Sequence, residues 1–202
     1  MKTDYAIQTS LDLETLDVVQ DAHIASIGYS IFNLYTGEIL LTKELMIDME
    51  EAQPGRSISG STVKWWLKQS DDARNRITRS YNDSCAVFSL SEALLVFSKD
   101  IDSYSSNTIW GNGSIFDVAI VESAFNSCSM FIPWKFFNVR DMRTIVAIAE
   151  NLGFDKQSVK REGVYHSSGD DAKYQAQVIS SAYRYMASNM NNMVSQLDSS
   201  DI

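Results

Sequence analysis

The sequence has few cysteines, few prolines and no long hydrophobic run. Two cysteines and two prolines occur among its 202 residues. Two cysteines cannot form the framework of a disulfide-rich fold, so we expect a protein of a reducing compartment that folds around a hydrophobic core. No apolar run reaches the roughly 18 residues that a transmembrane helix requires, and the first residues lack the charged and apolar regions of a signal peptide. These absences predict a cytoplasmic protein.

Positive charge is also scarce. The chain has 17 Lys and Arg residues against 26 Asp and Glu residues, which gives a formal net charge of −9. A field of this sign repels phosphate, so the composition excludes a protein that coats nucleic acid through its overall charge. Any contact with nucleic acid must therefore use a local site, where cations offset the acidic side chains.

The motifs of several common enzyme classes are missing as well. The sequence contains no Gly-x-Ser-x-Gly, no glycine-rich phosphate loop and no Cys-x-x-Cys pair. Cys85 and Cys128 have no histidine near them in the sequence. A nucleophilic hydrolase is therefore poorly supported.

The composition that is present is that of an ordinary globular protein. Hydrophobic residues make up 45% and charged residues 21%, which is normal for a soluble domain. A chain of this length can bury a full core in one domain. We predict a single domain over residues 1–190, followed by a polar tail over residues 191–202.

Hydrophobic periodicity divides the chain into a strand-rich first part and an alternating second part. Strands are predicted at residues 5–13, 22–32, 38–47, 108–110 and 136–139. Helices are predicted after Ser61 or Thr62, after Ser70, and at residues 89–99, 115–126, 142–151 and about 168–190. Three strands followed by alternating helices and strands favour an α/β or α+β domain with a mixed sheet, in which active sites gather at strand ends.

Asp12 and Glu14 are the first candidate site residues. They are two positions apart at the end of the first predicted strand, so an extended backbone places both carboxylates on one face. Two like charges on an apolar strand are costly unless a cation binds them, and hard oxygen ligands suit Mg²⁺ or Mn²⁺. The alternative is that the strand ends at Leu11 and that both acids are solvated in a turn.

Asp117, His166 and Asp171 are the other candidates. Asp117 follows the fourth predicted strand near the start of a helix, where an acid can also simply complement the helix dipole. His166 precedes the last predicted helix and Asp171 lies in its first turn. A histidine can take a proton from water near neutral pH. Asp170 is the alternative to Asp171, and we interpret His23 as structural.

The order of these motifs resembles a known family, the DEDDh exonucleases, which belong to the proofreading-subunit-like branch of the ribonuclease H fold. Within it, the chain is most similar to exonuclease A of T-even phages and related bacterial 3′–5′ exoribonucleases. The segments that carry this likeness are Asp12-Leu13-Glu14-Thr15, the tandem Trp65-Trp66, Trp110 to Asp117, Asn138 to Thr144, and His166 to Asp171. The resemblance implies a ribonuclease H-like mixed five-stranded sheet flanked by helices.

The resemblance also implies roles for the acidic set. Asp12, Glu14, Asp117 and Asp171 would hold two divalent ions, Mg²⁺ or Mn²⁺, and His166 would be the general base. Many family members carry Asn four residues before the second-motif Asp, where this chain has Gly113. Whether the adjacent Asn112 replaces that residue is left open.

Further residues are expected to bind the substrate. One of the adjacent tryptophans is expected in the core, because a helix cannot bury both on one face, and the other is expected on a base. Core packing is the alternative for Phe116. Arg143 is expected first to pair with Asp141 and second to contact the substrate. The full set of expected substrate-binding residues is Leu13, Thr15, Leu16, Trp65, Trp66, Asn112, Phe116 and Arg143.

The resemblance predicts a metal-dependent 3′–5′ exonuclease that removes nucleoside 5′-monophosphates from single-stranded 3′ ends, with DNA favoured over RNA. It would act in the host cytoplasm if the chain is phage-encoded. The alternatives are a 3′–5′ exoribonuclease, a nucleic-acid-binding module with a degenerate site, and a transferase or integrase-like member of the wider fold. Trp65 and Trp66 could reach a neighbouring subunit, so a homodimer is left open.

Overall fold

A computed structural model describes residues 5–78 and 87–200 of the chain, with side chains up to residue 190. The strands are β1 (Ile7–Thr15), β2 (Ile24–Asn33), β3 (Ile39–Met46), β4 (Ile109–Gly111) and β5 (Val139–Asp141). The helices are α1 (Gly60–Trp66), α2 (Asp71–Ile77), α3 (Leu90–Ser103), α4 (Ser114–Ser127), α5 (Met142–Asn151) and α6 (Ser168–Ser200). Cys85 lies outside the described residues, and Cys128 is a half-buried free cysteine.

The five strands form one mixed sheet in the order β3-β2-β1-β4-β5. The first three strands pair antiparallel, whereas β4 pairs parallel with β1 and β5 pairs parallel with β4. This topology confirms the mixed five-stranded sheet expected from the sequence. Because β1, β4 and β5 run in the same direction, their carboxyl ends lie at one edge of the sheet, where Leu11 pairs with Gly111 and Gly111 with Asp141.

Helices cover both faces of the sheet. On one face, odd-numbered strand residues such as Leu11, Ile27 and Tyr29 pack in a cluster with residues of α3 and α4. On the other face, Phe32 and Trp110 pack in a cluster with residues of α5 and α6. The alternation of side chains along a strand therefore places Asp12 and Glu14 on the face that α6 covers.

Several strand and helix boundaries differ from the sequence predictions; α3, for example, ends at Ser103, four residues later than predicted. The segment Phe136–Asn138 is a short 3-10 turn, and β5 begins only at Val139. Helix α1 begins at Gly60 with Ser59 as its N-cap residue, two positions earlier than expected. Helix α6 continues to Ser200, past the predicted end at residue 190, because no glycine or proline after Gly169 interrupts it.

The predicted cap at Ser70 is confirmed, whereas neither Ser61 nor Thr62 caps α1, whose N-cap residue is Ser59. The Ser70 side chain accepts a hydrogen bond from the Ala73 N–H, and Ser89 forms a capping box with Glu92. Each contact satisfies a backbone donor that the helix leaves free at its N-terminus. Among the helices that the structure describes, none is both long enough and apolar enough to cross a membrane.

The start of α6 rests directly on β2 at Gly28. A Cβ atom built on Gly28 would lie 1.9 Å from the carbonyl carbon of Ser168, so only glycine permits this approach. The hydroxyl oxygen of Ser26, on the same strand, lies 2.9 Å from the hydroxyl oxygen of Ser168, and the two form a hydrogen bond. These small residues bring the loop before α6 and its first turn over the acidic end of β1.

Candidate active site

Asp12 and Glu14 both lie within β1, which continues to Thr15. Their backbone partners on β2 are the small residues Gly28 and Ser26, which leave room above the strand for other groups. Glu14 is 7% exposed. The alternative in which the strand ends at Leu11 and both acids are solvated is therefore wrong.

Asp117 reaches the same place from α4. This helix begins after Gly113, which has the left-handed φ of 100° that favours glycine. The turn places Asp117 in the first turn of α4, where it is buried. Its Oδ1 accepts a hydrogen bond from the backbone N–H of Leu13, with 3.3 Å between nitrogen and oxygen. Leu13 is the residue between Asp12 and Glu14 in the sequence. Asp117 therefore lies at the carboxyl end of β1.

His166 and Asp171 come from the start of α6 and the loop before it. His166 has a positive φ of 62°, and its N–H lies 3.3 Å from Asp171 Oδ2. Ligand-type atoms of Glu14, His166 and Asp171 lie within 4.8 Å of one another. Asp170 faces elsewhere, because its Oδ2 accepts the Val164 N–H at 2.8 Å.

The carboxylates of this cluster are held at an electrostatic cost. Burial raises the pKa of Asp12 well above its usual value, and the neighbouring Asp117 and Glu14 raise it further. Burial, Glu44 and Asp117 raise the pKa of Glu14 to about 8. Burial also raises the pKa of Asp117 to about 7, although the Leu13 N–H opposes the shift. The protein's own groups therefore leave the negative charge of the cluster only partly compensated.

Arg161 is a cation in contact with this cluster that no sequence pattern predicted. Its guanidinium contacts the Asp171 carboxylate and lies over the Tyr165 ring, 4.0 Å from the centroid. Burial lowers the pKa of His166, and the charge of Arg161 lowers it further. Arg161 belongs to an irregular polar segment, where no periodicity relates it to Asp171.

The cluster fits a divalent cation. Its donors are carboxylate oxygens, which are the ligands that Mg²⁺ and Mn²⁺ prefer. They come from separate elements and are crowded enough to raise one another's pKa values. A bound divalent charge would offset both the burial of these carboxylates and the repulsion between Asp12, Glu14 and Asp117.

An open cavity of about 420 Å³ adjoins the acidic cluster. Its walls are mainly apolar, and the described residues around it include Leu13, Glu14, Thr15, Trp65, Trp66 and Phe116. Five of the eight residues expected to bind substrate therefore face one cavity beside Glu14.

The two adjacent tryptophans have different environments, as the sequence predicts. Trp66 is 3% exposed, and its Nε1–H donates to the Thr15 carbonyl at 2.9 Å. Trp65 is 43% exposed, and its ring lies edge-on to His166 with 5.1 Å between centroids. Trp66 therefore fixes α1 to the end of β1, whereas Trp65 presents a free surface to the cavity.

Leu16 was expected to bind substrate, but its side chain does not line the cavity. It is 4% exposed and packs in a cluster with Ala25, Trp66, Ala73 and Ile77. The chain turns after Thr15, whose hydroxyl donates to the Asp17 carbonyl at 2.7 Å, and this turn directs Leu16 beneath Trp66. Leu16 therefore supports the cavity wall.

Asn112 and Arg143 lie together at the edge of the cluster. Arg143 Nε donates to Asn112 Oδ1 at 3.3 Å, and its positive charge opposes the rise in the Asp117 pKa. The expected pair of Asp141 with Arg143 is wrong, because no ion pair joins them in the described part of the chain. Asp141 instead accepts the N–H groups of Gly113 and Ser114 at 3.1 and 2.8 Å.

The sequence over residues 8–183 matches the family model of the 3′-5′ exoribonuclease Rv2179c-like domain. The chain belongs to this family. It is accordingly a 3′–5′ exonuclease, which is a phosphodiester hydrolase. No curated protein matches the sequence at a significant level.

Solved structures share the fold of this Rv2179c-like domain. The nuclease domain of 3′hExo, described as a DEDDh family member bound to rAMP, is 15% identical, with a TM-score of 0.54 over 93% of this chain and 95% of that one. Cell-death related nuclease 4 (CRN-4) is 10% identical, with a TM-score of 0.58, and the match covers 94% of this chain and 65% of that one. E. coli exonuclease I in complex with a dT13 oligonucleotide is 9% identical, with a TM-score of 0.58, and the match covers 95% of this chain and 43% of that one. The sheet and its helices thus have the ribonuclease H-like arrangement of DEDDh exonucleases.

Proposed function

We propose that this Rv2179c-like domain removes nucleotides one at a time from the 3′ end of single-stranded nucleic acid and releases nucleoside 5′-monophosphates. One observation supports the proposal: Glu14 lies beside the cavity with ligand-type atoms of His166 and Asp171 within 4.8 Å, and Glu14 and Asp117 are near enough to raise the pKa of Asp12. Asp12, Glu14, Asp117 and Asp171 would hold two divalent ions, Mg²⁺ or Mn²⁺, and His166 would be the general base.

The side chains of the cluster suit these roles. A bound divalent ion supplies an acidified water and neutralises charge on a leaving oxygen. Burial and Arg161 lower the pKa of His166, so that its ring is neutral near pH 7 and can accept a proton. Trp65 and Trp66 contact the ring edge-on, and these contacts restrict its orientation.

The cavity can hold the terminal nucleotide. Its apolar wall at Leu13 and Phe116 lies directly next to Glu14, so a base against this wall places its phosphate near the acidic cluster. Trp65 offers an exposed ring for base stacking, which is worth about 1–3 kcal/mol per base. Arg143 would contact a phosphate, and Asn112 would orient Arg143 through their hydrogen bond.

The choice between RNA and DNA has two candidate answers. The matched family is the 3′-5′ exoribonuclease Rv2179c-like domain, which favours RNA. DNA, the substrate expected with the family resemblance, is the other candidate. A contact to the 2′-hydroxyl, which only RNA carries, is the feature that separates the two substrates.

The test is a time course with matched 5′-labelled single-stranded RNA and DNA in Mg²⁺, in Mn²⁺ and in EDTA. We expect a ladder that shortens from the 3′ end, that requires the metal, and that is absent with Asp12→Ala. Full activity of a pure Asp12→Ala protein would contradict the proposal. Binding without hydrolysis in either metal would favour the degenerate-site alternative, and loss of activity in His166→Ala would count against the integrase-like alternative.

A further inference from the structure

Gln175 of α6 connects the last helix to the first acidic residue of the cluster. It is 4% exposed, and its Nε2 donates to Asp12 Oδ1 at 2.6 Å. No pattern in the sequence analysis singled out this residue. A buried amide directed at a candidate metal ligand calls for a physical explanation.

The orientation of this amide is set from its other end. Gln175 Oε1 accepts a hydrogen bond from the Ser10 hydroxyl at 3.3 Å, and Ser10 is completely buried. Ser10 and Asp12 are two positions apart on β1, so both face α6. With its oxygen engaged by Ser10, the amide presents its N–H₂ group to Asp12.

We propose that Gln175 is a positioning residue that holds the Asp12 carboxylate in its ligand orientation and thereby strengthens divalent-metal binding. The proposal rests on the function proposed above. An N–H donor to one carboxylate oxygen favours the ionised form and restricts the rotamer, and the other carboxylate oxygen takes no part in this hydrogen bond. Groups that orient metal ligands in this way typically contribute about 10–100-fold to metal affinity.

The position of Gln175 on α6 adds to this role. Gln175 follows Asp171 by four residues, so both side chains lie on the same helix face, one turn apart. Helix α6 therefore supplies one acidic residue directly and orients another through an amide. Since Gly28 permits the close approach of α6 to β2, the same packing sets both distances.

The test compares Gln175→Met with Gln177→Met in the full-length protein. Methionine keeps the approximate length of glutamine but donates no hydrogen bond, and Gln177, on the same helix, provides the matched control. Mn²⁺ affinity is measured by calorimetry and by the EPR signal of free Mn²⁺, together with thermal unfolding in EDTA. We expect about tenfold weaker Mn²⁺ binding for Gln175→Met and less than about twofold change for Gln177→Met.

Ser10→Ala supplies a second test in case Gln175→Met does not fold. The change removes only one hydroxyl group from a buried side chain. Without the Ser10 hydroxyl the amide can rotate, and we expect Mn²⁺ binding to weaken by about threefold. Unchanged Mn²⁺ affinity in the folded variants, beside an Asp12→Asn protein that binds Mn²⁺ poorly, would overturn the role of Gln175 alone. A wild-type protein that neither binds Mn²⁺ nor hydrolyses oligonucleotides would overturn the proposed function, and with it this role.

Discussion

Two neighbouring acidic residues, Asp170 and Asp171, have different surroundings in the structure. Asp171 contacts Arg161 and lies near Glu14 and His166. Asp170 accepts a backbone hydrogen bond from Val164. The same change of Asp to Asn at each position therefore tests which residue belongs to the cluster.

We expect Asp171→Asn to lower kcat by at least about 100-fold, the upper figure for groups that only support a metal ligand. Asp170→Asn should lower kcat by less than about threefold, because asparagine keeps an oxygen that can accept the Val164 N–H. Single-turnover hydrolysis of a labelled oligonucleotide measures both effects. Equal losses in the two variants would contradict the assignment of Asp171.

The raised pKa values predict how stability depends on pH without metal. The pKa of Glu14 rises from 4.5 to about 8 and that of Asp117 from 3.8 to about 7. The folded protein therefore holds protons that the unfolded chain has released, so the free energy of unfolding falls as the pH rises through this range. The lowered pKa of His166 acts in the opposite direction, but only up to its ordinary value of 6.5.

We expect the Tm in EDTA to fall between about pH 7 and about pH 9 by at least about 3 °C. Mg²⁺ should stabilise the protein more at the higher pH, because it binds the ionised carboxylates. Differential scanning fluorimetry measures both effects, and Glu14→Gln should flatten the profile in EDTA. A Tm that stays constant from about pH 7 to about pH 9 in EDTA would show that these carboxylates are already ionised in the folded protein.

At the residue scale, the spacing of motifs predicted the acidic residues of the cluster but not the side chains that contact them. Asp12 and Glu14 were predictable because alternation on a strand fixes which side chains share a face. Gln175 was not, because its partner Asp12 is 163 positions away in the sequence and only the packing of α6 brings the two together. Arg161 was not, because no periodicity relates it to Asp171. The expectation that Leu16 lines the substrate cavity was wrong, because the turn after Thr15 directs its side chain into the core.

At the scale of elements, the site depends on the contact between α6 and β2. Gly28 lies under the first residues of α6, which carry the turn from His166 to Asp171. Any side chain at position 28 would displace the helix from the sheet, because the atoms it meets are backbone atoms. The loss would affect Asp171 and Gln175 together.

We expect Gly28→Ala to lower the free energy of unfolding by about 3 kcal/mol or more, as overpacking in a rigid place does. Gly60→Ala is the matched control, because a Cβ atom at Gly60 meets no other atom within 4 Å. Alanine at this helical position should be neutral or stabilise the protein by up to about 1 kcal/mol. Urea denaturation measures both variants, and comparable stability of the two would show that α6 can shift without cost.

The elements themselves were largely predictable from local signals. The Ser70 cap marked the start of α2, helical spacing of apolar residues marked α3, and apolar alternation marked strands such as β2. The start of β5 was predicted too early because Phe136 and Phe137 are strand-forming residues that here lie exposed, at 86% and 56%, in a 3-10 turn. Local propensity cannot show that these side chains have no core to face.

At the scale of the whole molecule, an acidic protein acts on a polyanion. The net charge of −9 repels a nucleic acid strand. Under the proposed function the strand would enter at the acidic cluster, so we expect binding to depend on cations held there and on a few local contacts such as Arg143. A long basic track, which would give steep salt dependence, is not expected.

Binding of single-stranded oligonucleotide to the His166→Ala protein tests this expectation, because that variant keeps the carboxylates but lacks the proposed base. We expect affinity to fall by at least about tenfold when EDTA replaces Mg²⁺, since the uncompensated carboxylates then face the phosphates. At fixed Mg²⁺, one to three phosphate contacts predict a slope of log K against log salt between about −0.7 and about −2. Fluorescence anisotropy over a KCl series measures the slope. A slope near about −5, or equal binding in EDTA, would mean that the strand follows a basic surface away from the cluster.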